Sequence, residues 1–104
     1  MIAWENLFGT SEGEPRLRIT AAMAWLLEQD PTSREALQGA LKKLYDDRSS
    51  IVHGGSVDVG SIGTRADDAL GFAVRCLRVL FRERQDVLRL ADGSARSLRL
   101  ILAL

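Results

Sequence analysis

From Leu37 to Val52 the apolar residues of this chain recur every three or four positions, a spacing that admits little except an α-helix. At about 100° per residue, Leu37, Leu41, Leu44, Ile51 and Val52 fall within an arc of about 100°, and Arg48 lies near its middle. A solvated arginine has no reason to stand there. Five residues on comes His53, the single histidine of a 104-residue chain, and Gly54-Gly55 follows as a helix stop. The stretch Arg48 to Gly55 therefore sets two problems at once. Something must enclose a helix with a cation in its apolar face, and that cation needs a partner.

The rest of the chain supplies further helices. Met1 to Phe8 places Ile2, Ala3, Trp4, Leu7 and Phe8 ahead of Gly9, which reads as two helical turns closed by a glycine. Such a piece is short for a helix that must hold its own: either it docks tightly or it lacks the start of a longer first helix. Ser11 and Glu14 have the spacing of a capping box, with Pro15 tolerable in the first turn. Ile19, Ala22, Met23, Leu26 and Leu27 then give a second helix over about 14–29, ended by Asp30-Pro31. Thr32 or Ser33 is the expected cap of the third helix. The glycines at 54, 55, 60 and 63 imply a loop, after which Thr64, with Asp67 three residues on, opens the fourth helix. Leu70, Val74, Leu77 and Phe81 run along one face of it, and it either continues through Leu90 or breaks near Asp86. Asp92-Gly93-Ser94 is a turn or cap before a terminal helix over 95–104. The alternating piece Ser56 to Val59 is too short for a convincing strand. The expectation is one all-α domain over residues 1–104, an up-and-down bundle of four to five helices.

Bulk properties narrow the class. Apolar residues make up 46% and charged residues 27% of the chain, which suits a packed core and excludes a disordered segment. No apolar run approaches the ~18 residues of a membrane span, and no charged-then-apolar leader opens the chain. The lone Cys76 forbids an internal disulfide and agrees with a reducing compartment, so a cytoplasmic address is expected. Fourteen basic and fourteen acidic residues cancel, which removes any global pull on nucleic acid. The halves differ, however: residues 1–64 hold six Lys/Arg and nine Asp/Glu, or −3, and residues 65–104 eight and five, or +3. Twelve of the fourteen basic residues are arginine, the side chain that forks onto phosphate and carboxylate.

Burying Arg48 without a partner would cost several kcal/mol. An internal carboxylate, a second subunit or a cleft that holds an anion would each answer it. His53, at or just past a helix C-terminus, sits where the dipole favours its protonated form and brings its titration toward physiological pH. A fixed cation that polarises a phosphate and an imidazole that moves a proton are the two operations phosphodiester cleavage needs. A structural reading of the same residues stands beside this one, with His53 a cap and Arg48 paired to an acid such as Glu5 or Glu14.

Leu44 to Gly55, Leu-Tyr-Asp-Asp-Arg-Ser-Ser-Ile-Val-His-Gly-Gly, closely resembles the signature of the HEPN superfamily, in particular its Apea-like branch. That signature is an arginine, four to six residues and a histidine at a helix end, here Arg48-x4-His53. The resemblance extends to Ala3–Phe8, to Glu14–Leu27 and to the arginine-rich helix from about Thr64. It implies a helical bundle that forms a homodimer and, in many active members, a metal-independent endoribonuclease of toxin–antitoxin, antiviral defence or RNA-processing systems. The arginines and histidines of both protomers then form one composite site, needing no cofactor. Carried over, Arg48 would stabilise charge on the phosphate and His53 would act as general acid or base. Tyr45 and Ser49 would support them; many catalytic members place Asn, Asp or His where Ser49 stands. An antitoxin or a larger defence assembly would be a natural partner. The alternative is a non-catalytic HEPN-like module that dimerises or binds a partner.

Arg75, Arg78, Arg82 and Arg89 form a stripe that could follow an RNA backbone, or else a solvated face beside Glu83 and Asp86. The stripe reads as lacking interleaved aromatics for base stacking. One cysteine and one histidine cannot build a usual zinc site, and no lysine follows the glycines as a phosphate loop requires. Ser49 or Ser50 beside His53 lacks the orienting group of a nucleophile–base pair. Cys76 reads as a small buried filler.

Overall fold

The computed structural model describes residues 2–10, 13–52 and 59–103; at residue 2 and over 48–52 and 59–66 it describes the helical backbone alone. All regular structure among the described residues is helical. In order these are α1 (Ile2–Phe8), α2 (Pro15–Leu27), α3 (Pro31–Val52), α4 (Val59–Glu83), α5 (Gln85–Leu88) and α6 (Gly93–Ile101). The two long helices, α3 and α4, flank a centre formed by α2, which packs most extensively against α6 and α3. The molecule is elongated, 40 × 27 × 22 Å between Cα extremes.

Helix starts follow side-chain chemistry, though not always at the residue expected. Asp30, not Thr32 or Ser33, caps α3: its Oδ2 accepts from the Ser33 backbone N–H at 2.9 Å. Pro31 then occupies the first helical position, where its missing N–H costs nothing. Glu14 is itself the residue before α2, in extended backbone with no side-chain cap bond, and Pro15 follows it. Ser11, its expected capping-box partner, lies outside the described residues. Asp92 caps α6 by accepting from the Ala95 N–H at 2.8 Å. The fourth helix is already formed at Val59, ahead of Thr64, so Gly60 and Gly63 are helical; residues 53–58 of the expected loop and strand lie outside the described residues.

The core is built from Trp4, Phe8, Ile19, Met23, Leu41, Cys76, Leu80, Val87 and Leu100. α1 is only seven residues long, yet Trp4 and Phe8 are both fully buried. Trp4 Nε1 donates to the Ala69 carbonyl oxygen on α4 at 2.9 Å, which satisfies the one polar atom that burial would orphan. α1 therefore docks tightly. Its last carbonyls, unpaired within so short a helix, accept from Arg96 of α6: Nε to Leu7 O at 2.7 Å and Nη2 to Asn6 O at 2.9 Å. Where α1 ends and α6 begins, a Cβ built on Gly93 would lie 2.8 Å from both the N and the O of Gly9. Only a glycine lets the two backbones approach so closely.

α4 carries two apolar stripes of the same 4–3–4 spacing, one residue apart. Ala69, Ala73, Cys76 and Leu80 face the core. The larger residues singled out from the sequence, Leu70, Val74, Leu77 and Phe81, do not: they are 61, 38, 38 and 61% exposed. α4 then stops at Glu83. Arg84 leaves helical geometry (φ −133°, ψ 51°) and forks onto Asp86 in the first turn of α5 at 3.1 Å through two nitrogens. The buried Val87 anchors that short helix to the core.

Candidate functional site

Tyr45, Arg48 and Ser49 stand on the last two turns of α3, at positions i, i+3 and i+4, and so share one helix face. α3 is helical through Arg48 and as far as Val52; the expected stop at Gly54-Gly55 lies outside the described residues. The side chains of Arg48 and Ser49 and the whole of His53 lie outside the described residues, and so does the geometry between them.

What surrounds the motif can be built from its neighbours. Tyr45 is half-buried and lines an open cavity of about 440 Å³ with Glu5, Gly9, Thr10, Pro15 and Ile19. The cavity is bounded by the end of α1, the start of α2 and the later part of α3. A carboxylate at its wall, Glu5, is half-buried, whereas Glu14, the other acid considered for Arg48, is exposed. Asp46, next to Tyr45, is held by Arg16 of α2 in a two-pronged ion pair, 2.7 Å on each arm. Its hydrogen bond, and then its charge, push the Arg16 guanidinium further above its ordinary pKa. This pair fastens α2 to α3 beside the motif and engages Asp46 in structure.

The arginine stripe divides. Arg75, Arg78 and Arg82 are exposed on α4, and among the described residues no carboxylate pairs with Arg78 or Arg82. Arg75 lies over the Phe72 ring, 5.4 Å from its centroid. Arg89 belongs elsewhere. The chain breaks at Arg84, so Arg89 follows α5 rather than continuing α4, and its guanidinium donates to Gln85 Oε1 at 3.1 Å. Nor is the stripe without aromatics: Phe81, 61% exposed, stands between Arg78 and Arg82. Phe81 belongs to the Leu70, Val74, Leu77, Phe81 stripe that helical spacing gives.

Four other arginines answer to the fold. Arg96 closes α1 as described and also donates to the Leu90 oxygen at 3.0 Å. Arg18 ties α2 to α6 through Ser94 O at 2.6 Å and Ser97 Oγ at 2.9 Å. Arg34 stacks on Trp25, 3.5 Å from the ring centroid, and donates to Glu28 O and Gln29 O past the end of α2. Arg16 is the fourth.

Cys76 is fully buried. Desolvation pushes its thiol up to about 12 against a slight opposing pull from Arg75, so it is an inert filler and not a nucleophile. Among the described residues no three His, Cys, Asp or Glu side chains cluster as a metal site would need, and no helix is long and apolar enough to cross a membrane. Compared with protein-family models, with curated proteins and with solved structures, the chain matches none of them.

Proposed function

We propose that this chain is a HEPN-type domain that cuts RNA without a metal ion, using Arg48 and His53 of two copies in one composite site. The observation that carries the reading is the Arg48-x4-His53 spacing in the sequence, on a helix that runs through Arg48 as far as Val52. Tyr45 stands one turn earlier on the same face. In the reaction, one His53 imidazole takes the proton of a ribose 2′-OH, and that oxygen attacks the adjacent phosphorus. Arg48 holds the non-bridging oxygens as charge builds on them. The bond from phosphorus to the 5′-oxygen breaks, and the imidazolium of the second copy protonates the leaving oxygen. The products are a 2′,3′-cyclic phosphate and a 5′-hydroxyl. Arg75, Arg78 and Arg82 carry the flanking backbone, with Phe81 available to a base.

The test is cleavage of labelled single-stranded RNA in EDTA. The expected result is cutting by the native protein and its loss in His53→Ala and Arg48→Ala, with the helical circular dichroism retained. Cutting that survives without His53, or no cutting of any RNA, removes the enzymatic reading. The second reading, a non-catalytic module that dimerises or takes a protein partner such as an antitoxin, is favoured by the exposed apolar face of α4.

A further inference from the structure

Gly71 leaves a gap on the outward side of α4. It is exposed, and a Cβ built on it would meet nothing within 4 Å. The gap belongs to an open hollow of about 530 Å³ whose lining includes Asp68, Val74, Arg75 and Arg78. At about 100° per residue, Asp68, Gly71, Arg75 and Arg78 fall within an arc of about 80°. That arc faces away from the core stripe of Ala69, Ala73, Cys76 and Leu80.

Charge is separated along this hollow. The Asp68 carboxylate stands at one end, and Arg75 and Arg78 follow about 10 and 15 Å along the axis, at about 1.5 Å per residue. Among the described residues Asp68 has no cationic partner, and neither arginine has a carboxylate. Arg75 is drawn sideways over the Phe72 ring, 5.4 Å from its centroid, and so away from Gly71. The hollow therefore offers acceptors at one end, an apolar floor at Val74 and the bare Gly71 backbone, and two cations at the other end.

We propose that this hollow takes one guanine nucleotide of a bound RNA strand, with the base edge on Asp68 and the phosphates on Arg75 and Arg78. The site presupposes the RNA-binding role given above and adds a base preference to it. A carboxylate only accepts, and its two oxygens match two adjacent donors. Guanine alone among the RNA bases presents such a pair, N1–H and the N2 amino group, on its Watson–Crick edge. Adenine and cytosine put a ring-nitrogen acceptor beside their amino group, and uracil has one N–H between two carbonyl oxygens. Each of these sets a lone pair against the carboxylate. Bases splayed from a single strand are read on this edge, and hydrogen bonds to an ionised acceptor are the strong ones. The same carboxylate repels phosphate, which turns the backbone of the strand toward Arg78. Glycine at position 71 lets the flat base lie against the helix, in space that a larger side chain would fill.

The test reads binding rather than cutting. Strands of about eight nucleotides with 2′-methoxy riboses have no 2′-hydroxyl to attack phosphorus, so the native protein can bind them without cleaving them. Fluorescence anisotropy at fixed salt compares oligouridine carrying one central guanosine with the same strand carrying adenosine or inosine, which lacks only the N2 amino group. The guanosine strand should bind about tenfold tighter than either, the scale of a two-bond base contact. Asp68→Asn should bring the three strands within about twofold of one another, whereas Asp67→Asn, the adjacent carboxylate outside the lining, should keep their order. Gly71→Leu, at a site with space for the side chain, should also erase the preference while leaving plain oligouridine binding as it is in the native protein. Equal binding of the guanosine and inosine strands by the native protein overturns the guanine site. So does a preference that survives Asp68→Asn or Gly71→Leu, or one that Asp67→Asn removes equally. Binding of all strands without preference removes the guanine site alone, whereas failure of every strand to bind removes the RNA-binding role along with it.

Discussion

Arginine is used in this molecule chiefly as a forked donor to the ends of helices. Arg96 reaches two carbonyls of α1 and a third at Leu90, and Arg34 reaches two carbonyls beyond α2 while lying flat on Trp25. A lysine, one point charge on a flexible stem, could not span such pairs. Arg96→Met should lower the unfolding free energy by about 2 kcal/mol, since hydrogen bonds from a charged donor contribute about 1.5–3 kcal/mol; the urea midpoint should fall with its slope unchanged. Gly93→Ala should cost about 1–3 kcal/mol, the range for overpacking a site that cannot give way, because the new methyl meets the Gly9 backbone at 2.8 Å. The excess of arginine over lysine was visible in the sequence, but which arginines serve the fold was not, since their carbonyl partners lie as much as 90 residues away. Cys76 gives the one clear pH effect. Burial raises its folded thiol from an ordinary 9.0 to about 12, so the protonated form favours the folded state. That contribution is whole below pH 9 and is lost as the pH climbs through 9 toward 12. Cys76→Ser or Cys76→Ala should flatten this part of the stability–pH curve, and the native thiol should react with a soluble disulfide reagent only at the rate of unfolding.

Among the elements, the long helices were the most legible and their boundaries the least. Spacing placed α2, α3, the body of α4 and the last helix because their apolar residues recur every three or four positions, although α2 is buried on most sides and the α4 stripe it singled out is exposed. The start of α3 was misplaced by two residues because three potential caps, Asp30, Thr32 and Ser33, lie close together, and Pro31 settles the choice for Asp30. Asp30→Ala and Asp92→Ala should each cost about 1 kcal/mol as lost N-caps, measured by thermal or urea unfolding. The early start of α4 was hidden by Gly60 and Gly63, which weaken a helix without forbidding it. Its end at Glu83 has neither proline nor glycine to announce it; the Arg84–Asp86 fork and the burial of Val87 decide it. α4 also misled by size. Its larger apolar residues looked like the core face, whereas the core takes Ala69 and Ala73, whose small side chains let α1 and α2 come close. Trp4→Phe, which removes the bond to the Ala69 oxygen and leaves part of the indole's space empty, should cost about 1–3 kcal/mol and should loosen α1 before the rest, seen as faster hydrogen exchange over residues 2–8.

At the scale of the whole molecule, the all-helical class follows from periodicity and from the lack of convincing strand patterns. The way the described helices pack does not. It depends on contacts such as Trp4 to Ala69 and Arg18 to Ser94, for which no local pattern exists. The candidate site was legible as a motif, Arg48-x4-His53, and α3 is helical through its arginine. The cavity beside Tyr45 was not legible, since its walls come from three separated segments. If the arginine face of α4 carries RNA, Arg75→Ala, Arg78→Ala and Arg82→Ala combined should reduce the salt dependence of RNA binding by about two in the log–log slope, at about 0.7 per phosphate contact; an unchanged slope would assign those residues to the solvated surface. The join between α1 and α6 has a consequence for the order in which this chain acquires its shape. The carbonyls that end α1 are held by Arg96, and its last turn rests on Gly93. On a ribosome that delivers about 5–20 residues each second, α1 must therefore wait several seconds for the segment that completes it. Trp4 and Phe8 spend that interval without their final cover, which makes α1 a stretch that a chaperone would hold until α6 arrives.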